Sequence, residues 1–273
     1  MSESGVLSFE SGALGLSLLG RHASLAAASL ALPEGAYTTL RTYGGNGVVR
    51  LGQHLARLEE SVALKGTPGR IDPAAVRGAI TEALRRSAHP ESRVRLTFAP
   101  PRLFVAVEAF TPLAPRLYEQ GVACVTLELE RENPHAKDTR FIATAHDAYS
   151  RLPAGVEEGL LVAPDGSILE GLSSNFFAIR EGALRTEDAR ALAGVTRSLA
   201  IEVAEALLPL RRVAVQRDEL SLVDEAFITS VSRELLPVTS VDGRPVGEGR
   251  VGPRTRAILQ AFEALVARER EAL

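Results

Sequence analysis

Lysine is almost missing from this chain. Of 31 basic residues only Lys65 and Lys137 are lysine, so the other 29 are arginine. Tryptophan does not occur, and cysteine occurs once, at Cys124. A single cysteine excludes an internal disulfide, which makes a reducing cytoplasm the expected location. Within "GVACVTLELE" that cysteine reads as a buried strand residue. No stretch supplies the roughly 20 uninterrupted apolar residues of a membrane span. The most apolar segment, residues 12–32, is interrupted by Arg21 and His22. Glu3 and Glu10 precede the first arginine, so the cationic start of a secretory signal is lacking and none is expected. The net charge is only −3, with arginines and acids interleaved. That excludes the basic stripe that tracks nucleic-acid phosphates. The five histidines, His22, His54, His89, His135 and His146, stand at no metal-ligand spacing to Cys124 or to acids, so no metal site is expected.

What is present describes a folded protein. With 273 residues, 45% hydrophobic and 24% charged, the chain suits one large or two modest domains. Residues 36–43, "AYTTLRTY", are rich in β-branched and aromatic types, and "GGNG" precedes "VVRL", which predicts a hairpin. Leu55, Leu58, Val62 and Leu64 recur near helical spacing before Gly66, and a second helix over about 73–87 opens after Asp72 with Pro73 in its first turn. Two strands, "RVRLTFA" and "LFVAVEAF", follow around Pro100 and Pro101, so the first part reads β-β-α-α-β-β. Pro112 and Pro115 mark a domain boundary near 112–120, giving a small N-terminal α/β domain over 1–115 and a larger domain over 116–273. In the second part a strand covers 121–130 and a helix 138–152. Hairpins turn at Asp165-Gly166 and Glu181-Gly182. A helix opens at Gly194-Val195-Thr196, a short acidic helix lies near 217–223, "EAFITS" is a strand, and a helix closes the chain over 253–271.

The scarcity of lysine raises a chemical question. A salt bridge or a solvated stem accepts arginine as readily as lysine, but an amine that must lose its proton and attack a carbonyl cannot be arginine. Lys65, near a helix C-terminus, is accounted for by the helix dipole. Lys137, in "ENPHAKDTRF", has no such account. An imine-forming lysine serves a carbonyl substrate or cofactor. Pyridoxal phosphate in particular needs an acid opposite its pyridine nitrogen, a phosphate cradle and a place for the substrate carboxylate. Glu170, at the end of a hairpin strand, could be the acid. Val195 and Thr196 open a helix whose free N–H groups favour a phosphate, Arg57 could add a charge-assisted contact, and Arg41 could meet a carboxylate. Taken singly, each of these residues also suits a solvated surface or a helix start; order and combination decide.

In order, the segments "AYTTLRTY…HLARLEES", "AKDTRF", "LEGLSSNFFAI…GALRT", "GVTRSLAIEVA", "AFITSVSRELLPV" and "VDGRPVGEGRVGPRT" resemble the fold-type IV pyridoxal-phosphate enzymes, the class IV aminotransferases. That family includes branched-chain and D-amino-acid aminotransferases and aminodeoxychorismate lyase. The resemblance implies a two-domain α+β or α/β fold, with a C-terminal pseudo-barrel domain carrying the cofactor lysine. It sets the imine-forming lysine on Lys137, the pyridine-nitrogen glutamate on Glu170, an orienting residue on Asn175, and phosphate contacts on Arg57, Val195, Thr196, Ser230 and Val231. Tyr37 and Arg41 fall where several members face substrate. Val231 stands where the family often has a phosphate-holding threonine, so that contact is reduced to main-chain N–H. Thr38 replaces a frequent acid, and Arg140 stands where asparagine often follows the lysine. Both departures touch the substrate side. The implied activity is transfer of an amino group between a small amino acid, of branched-chain or D-amino-acid type, and a 2-oxo acid, by a homodimer. The alternatives are lyase action on aminodeoxychorismate, or a non-catalytic relative that keeps only the fold.

Overall fold

The computed structural model describes residues 5–13 and 15–273, and the chain forms two compact α+β units. The first contains residues up to Pro112 together with His135–Thr144 and Glu269–Leu273; the second contains Leu113–Pro134 and Ala145–Arg268. The sequence reading assigned all of 116–273 to one domain. The two short segments join the first unit for a local reason. The main chains of Lys137 and Thr139 bond to Tyr37 and Gly35, and residues 270–272 form a strand partnered within the first unit.

The first unit is built on an antiparallel five-stranded sheet. Its elements are β1 (Val6–Gly12), β2 (Gly15–His22), α1 (Leu25–Leu30), β3 (Ala36–Arg41), β4 (Gly47–Val49), α2 (Leu51–Leu64), α3 (Pro73–Ser87), β5 (Ser92–Ala99) and β6 (Arg102–Ala109). The sheet order is β2-β1-β6-β5-β3. In β5 the alternation of "RVRLTFA" sends Val94, Leu96 and Phe98 into the core, while Arg93, Arg95 and Thr97 share the other face. Leu51, Leu55, Leu58 and Val62 make the apolar stripe of α2 and meet Val76, Ile80 and Ala83 of α3 in the same core. Asp72 caps α3, accepting the Ala74 N–H at 2.9 Å, with Pro73 in the first turn. On the opposite face Leu25 and Ala28 of α1 pack on Val6 and Ala106.

The hairpin expected at "GGNG" is only half formed. Tyr43 and Gly47 exchange main-chain bonds of 2.8 and 3.0 Å, yet β3 pairs with β5, and β4 pairs with Arg270–Ala272. Arg50 explains the divergence: at φ 51° it turns the chain directly into α2. Before these elements, β1 and β2 extend the sheet and α1 covers it.

In the second unit, α4 (Pro115–Gln120), β7 (Val122–Glu128), α5 (Arg140–Ser150, divided between the units), β8 (Val156–Val162), β9 (Ser167–Gly171), β10 (Asn175–Arg180), β11 (Ala183–Arg185), α6 (Val195–Glu205), β12 (Leu210–Arg211), β13 (Val215–Gln216), β14 (Glu225–Ser230), β15 (Glu234–Val241), β16 (Arg244–Pro245) and α7 (Pro253–Arg268) follow in turn. Nine strands lie in the order β12-β11-β10-β14-β15-β7-β8-β9-β13, with β16 beside β15. One face of these strands gathers Cys124, Leu160, Val162, Phe176, Ile228 and Leu236 into a single core, and burial pushes the Cys124 thiol up. On the other face Phe177 and Phe227 stack at 4.8 Å. The turn between β10 and β11 has Glu181 at φ 53° and Gly182 at φ 74°, two successive left-handed residues suited to a tight hairpin. The expected acidic helix is a short 3-10 helix over Arg217–Leu222. Among the described residues no helix is long and apolar enough to cross a membrane.

Candidate functional site

Lys137 sits on a main chain fastened on both sides. Its N–H donates to Ser61 Oγ at 3.1 Å, its carbonyl accepts from Tyr37 N–H at 2.9 Å, and Thr139 Oγ1 and N–H both bond Gly35. A side chain on Gly35 would collide with the Phe98 carbonyl, so only glycine allows this approach. Lys137 is half-buried, and its Nζ lies 4.7 Å from the centre of the Tyr37 ring, which also carries the Arg95 guanidinium at 4.8 Å. Arg95 is half-buried and donates to Leu25 O and Ser29 Oγ. Tyr37, Thr39 and Arg41 alternate along β3 onto the same face as Arg93 and Arg95, and the Arg41 guanidinium lies between the Tyr43 and Phe110 rings at 4.3 and 4.7 Å.

Behind this face, Arg57 joins a buried relay. Its Nη2 donates to Thr38 Oγ1 at 2.7 Å, and the same oxygen lies 2.7 Å from His54 Nδ1. A guanidinium only donates, so Thr38 Oγ1 accepts from Arg57; pointing the one Thr38 hydroxyl proton at Nδ1 gives that buried proton an acceptor, which assigns His54 as the neutral tautomer with its proton on Nε2. The electrostatics agree: burial first, then the positive charges of Arg57 and Lys137, hold the His54 pKa well below its usual 6.5.

In the second unit Glu170, 2% exposed on β9, is fixed by three groups. Its Oε2 accepts from Asn175 Nδ2 at 3.3 Å and from the Leu192 N–H at 3.1 Å. Oε1 is 2.7 Å from Arg131 Nε, in an ion pair that lacks hydrogen-bond geometry. Asn175 Nδ2 also donates to Leu192 O at 2.8 Å, which ties β10 to the segment leading into α6. Helix α6 starts at Val195 with Gly194 as an N-cap lacking any side-chain bond, so the first N–H groups remain available as donors. Val195 and Thr196 are buried on that first turn. Arg197, also buried, is turned away to Asp188 Oδ1 and Glu187 O. Ser230 and Val231 begin the turn from β14 to β15, where Ser230 Oγ accepts the Arg233 N–H at 3.3 Å. Arg233 reaches back to the fully buried Glu158 at 2.9 Å and to Glu157 at 2.9 Å, and Glu158 also accepts from Tyr149 and Ser174. Burial alone would lower the Arg233 pKa; Glu158, Tyr149 and Glu157 hold it above the ordinary value.

Of the residues singled out from sequence, Lys137 and Tyr37 meet directly, Arg57 stands in the relay behind them, and Glu170 and Asn175 bond one another. Val195 with Thr196, and Ser230 with Val231, occupy the start of α6 and a separate turn. Arg41 lies in its aromatic bracket at the far end of β3. Sequence reasoning missed Thr38 as a bridge, His54, Ser61, Arg95 and Arg131. A usable signal existed on α2, where His54, Arg57, Ser61 and Lys65 recur at helical spacing as a polar stripe. Arg95 could have been found from two-residue alternation with Arg93.

The amino-transferase class IV family model matches residues 35–241. The branched-chain-amino-acid aminotransferase of Escherichia coli (strain K12) is 36% identical over 162 residues, 56% of this chain and 52% of that protein, so this chain spans about half the length of that relative. The D-alanine aminotransferase of Bacillus licheniformis is 30% identical over 253 residues, covering 86% of this chain and 89% of that one. Among solved structures, the branched-chain amino acid aminotransferase from Escherichia coli superposes with a TM-score of 0.75 at 25% identity, covering 98% of this chain and 96% of that one. The branched-chain aminotransferase of the thermophilic archaeon Thermoproteus uzoniensis, solved with norvaline, shares the fold, with a TM-score of 0.77 at 24% identity over 97% of this chain and 96% of that one.

Proposed function

Since this chain belongs to the class IV aminotransferase family, we propose that it is a pyridoxal-phosphate-dependent aminotransferase, moving an amino group between a small amino acid of branched-chain or D-amino-acid type and a 2-oxo acid. Class IV aminotransferases use this cofactor. The residues fit it. Glu170 is a buried carboxylate whose Oε1, ion-paired to Arg131 at 2.7 Å, accepts no hydrogen bond among the described residues and so keeps acceptor capacity for an N–H of a protonated pyridine. The start of α6 offers N–H donors beside Gly194, where a side chain would fill the space next to Asn175. When bound, pyridoxal phosphate supplies an aldehyde for imine chemistry and an electron sink.

Lys137 carries the reading. Its half-buried amine is held over Tyr37 by a main chain that cannot drift, and in an arginine-rich chain it is one of two lysines. Lys137 Nζ would hold the cofactor in the absence of substrate and, once released, would take and return the proton at the substrate Cα. Glu170, fixed by Asn175 and Arg131, would face the pyridine nitrogen. The residues that would hold the phosphate are Val195, Thr196 and the Ser230–Val231 turn of the second unit and, in the first, Arg57, which donates to Thr38 Oγ1 at 2.7 Å. Tyr37 lines the substrate side, and Arg41 and Arg95 supply positive charge for a carboxylate. The relatives described above are aminotransferases, which favours transamination over the lyase reading. Exposed Leu18 and Leu19 on edge strand β2, with Leu30 nearby in sequence, give a second copy apolar surface to cover, which supports a homodimer. The single buried cysteine supports a cytoplasmic location.

Borohydride treatment of the cofactor-loaded chain is expected to leave the adduct on the Lys137 peptide, and Lys137→Ala to abolish both adduct and amino transfer from a panel of amino acids to 2-oxoglutarate or pyruvate. An adduct on Lys65, or full activity without Lys137, refutes the proposal.

A further inference from the structure

We propose that Lys65 is a positioning residue for Lys137: its ammonium covers the carboxylate of Asp138, the neighbour of Lys137, and so keeps the Lys137 amine nucleophilic near neutral pH. The inference rests on Lys137 as the imine-forming residue. Both lysines of the chain then serve one short segment.

Lys65 caps the C-terminal end of α2, and its Nζ donates to Asp138 Oδ1 at 2.5 Å and to the Gly35 carbonyl at 3.4 Å. The two side chains are 13% and 9% exposed. Arg140 adds its N–H to the same Oδ1 at 2.9 Å and closes the other oxygen, Oδ2, with its Nε at 2.8 Å. Burial pushes the Asp138 carboxyl up, but the bonds from Lys65 and Arg140 outweigh it and hold the group below the ordinary carboxylate range. Asp138 is therefore a standing negative charge one residue from Lys137. Side chains of consecutive extended residues diverge, so the two end groups lie within roughly 10 Å rather than in contact.

The groups around Lys137 divide by sign. On β3 and β5 it meets the Tyr37 ring with Arg95 behind it; on α2 it faces neutral His54, Arg57 and then Lys65; on its own segment stand Asp138 and Arg140. The cations favour the neutral amine that attacks a carbonyl, whereas Asp138 favours the ammonium. Lys65 cancels that opposition at short range. A lysine suits the place because a compact ammonium with three donors can serve Asp138 and the Gly35 carbonyl together, whereas arginine offers a rigid planar fork.

The test is competitive acetylation of the full chain with its amines free, across pH 6–10. Mass spectrometry of the peptides separates Lys137 from Lys65 by sequence. Lys65→Met is expected to slow acetylation of Lys137 about three- to tenfold near pH 8, the size expected for one charge uncovered at such a range. Asp138→Asn is expected to accelerate it by a similar factor, because it leaves two ammonium groups without their acid. Lys65→Arg should stay near the parent, and the Lys65→Met/Asp138→Asn double variant should return towards it. A pair that only braces the fold would move both single variants the same way. That result, or no change in either, overturns the proposal; if Lys65→Met does not fold, the sign of the Asp138→Asn effect decides alone. Labelling needs no cofactor, so a parent chain that fails to form the borohydride-fixed adduct refutes the functional reading without obscuring this outcome.

Discussion

His54→Gln is expected to remove a pH dependence of stability that the parent chain carries below pH 6.5. In the folded chain His54 is 3% exposed, and its Nδ1 accepts from Thr38, whose oxygen already accepts from Arg57. Protonating it would make Nδ1 a donor, leave the Thr38 hydroxyl proton without its acceptor, and place a second buried cation beside Arg57. Its folded-state pKa therefore lies well below 6.5, and on unfolding the chain takes up a proton at any pH between the two values. The stabilisation is complete above about pH 6.5 and is lost as pH falls through that window. The slope is about 1.4 kcal/mol per pH unit, which integrates to about 2 kcal/mol by pH 5. Ordinary carboxylates titrate nearer pH 4 and add little there. Urea unfolding followed by circular dichroism at steps from pH 7.5 to 5 measures it. The parent should lose about 2 kcal/mol across the series and His54→Gln should lose almost none, whatever its starting stability. If both fall with the same slope, His54 is not held neutral and the direction assigned to the Thr38 proton is wrong.

Gly194→Ala would drive a Cβ against Asn175 Oδ1. It should cost about 1–3 kcal/mol as an overpacked site and weaken pyridoxal-phosphate retention, read by thermal melting and by cofactor titration; unaltered retention would separate Gly194 from phosphate binding. Arg233→Met leaves Glu158 buried without its cation and should cost about 3–5 kcal/mol. Adding Glu158→Gln should recover part of that loss in a double-mutant cycle, and strict additivity would show that the pair is not coupled.

Periodicity made much of the fold legible. The alternation in β5, the apolar stripe of α2, the Asp72-Pro73 start of α3 and the Glu181-Gly182 turn each follow from local chemistry, and each is where the residues predict it. Partnership between distant segments was not legible. Nothing near "GGNG" tells β4 to pair with residues 270–272, because that choice is made by a strand more than 200 positions away. The sequence reading gave Glu234–Val241 no strand, and Pro237 is a fair reason, since proline cannot donate to a ladder. The structure seats it centrally because pairing with β7 begins at Val238, one residue beyond the proline. The site divides the same way. Scarcity drew attention to Lys137 and the ordered motifs singled it out, whereas the ion pair of Arg131 with Glu170, the Leu192 N–H bond to it and the bridge through Thr38 join groups on separate elements and leave no local signature.

The polar stripe of α2 ties these observations together. His54 and Arg57 meet Thr38, Ser61 meets the main chain at Lys137, and Lys65 meets Asp138, so successive turns of one helix address β3 and the segment that carries Lys137. Each of these contacts sacrifices apolar burial on a helix whose other stripe is pure core. A fold in need of stability alone would have filled the stripe with leucine. What the polar residues provide is direction: Lys137 is bonded through its N–H and its carbonyl, and positioning of that kind can supply several kcal/mol of a barrier. The helix therefore acts as a ruler for one amine, and the chain's two lysines meet at its C-terminal end, Lys65 as the helix cap and Lys137 on the segment that Ser61 and Lys65 hold.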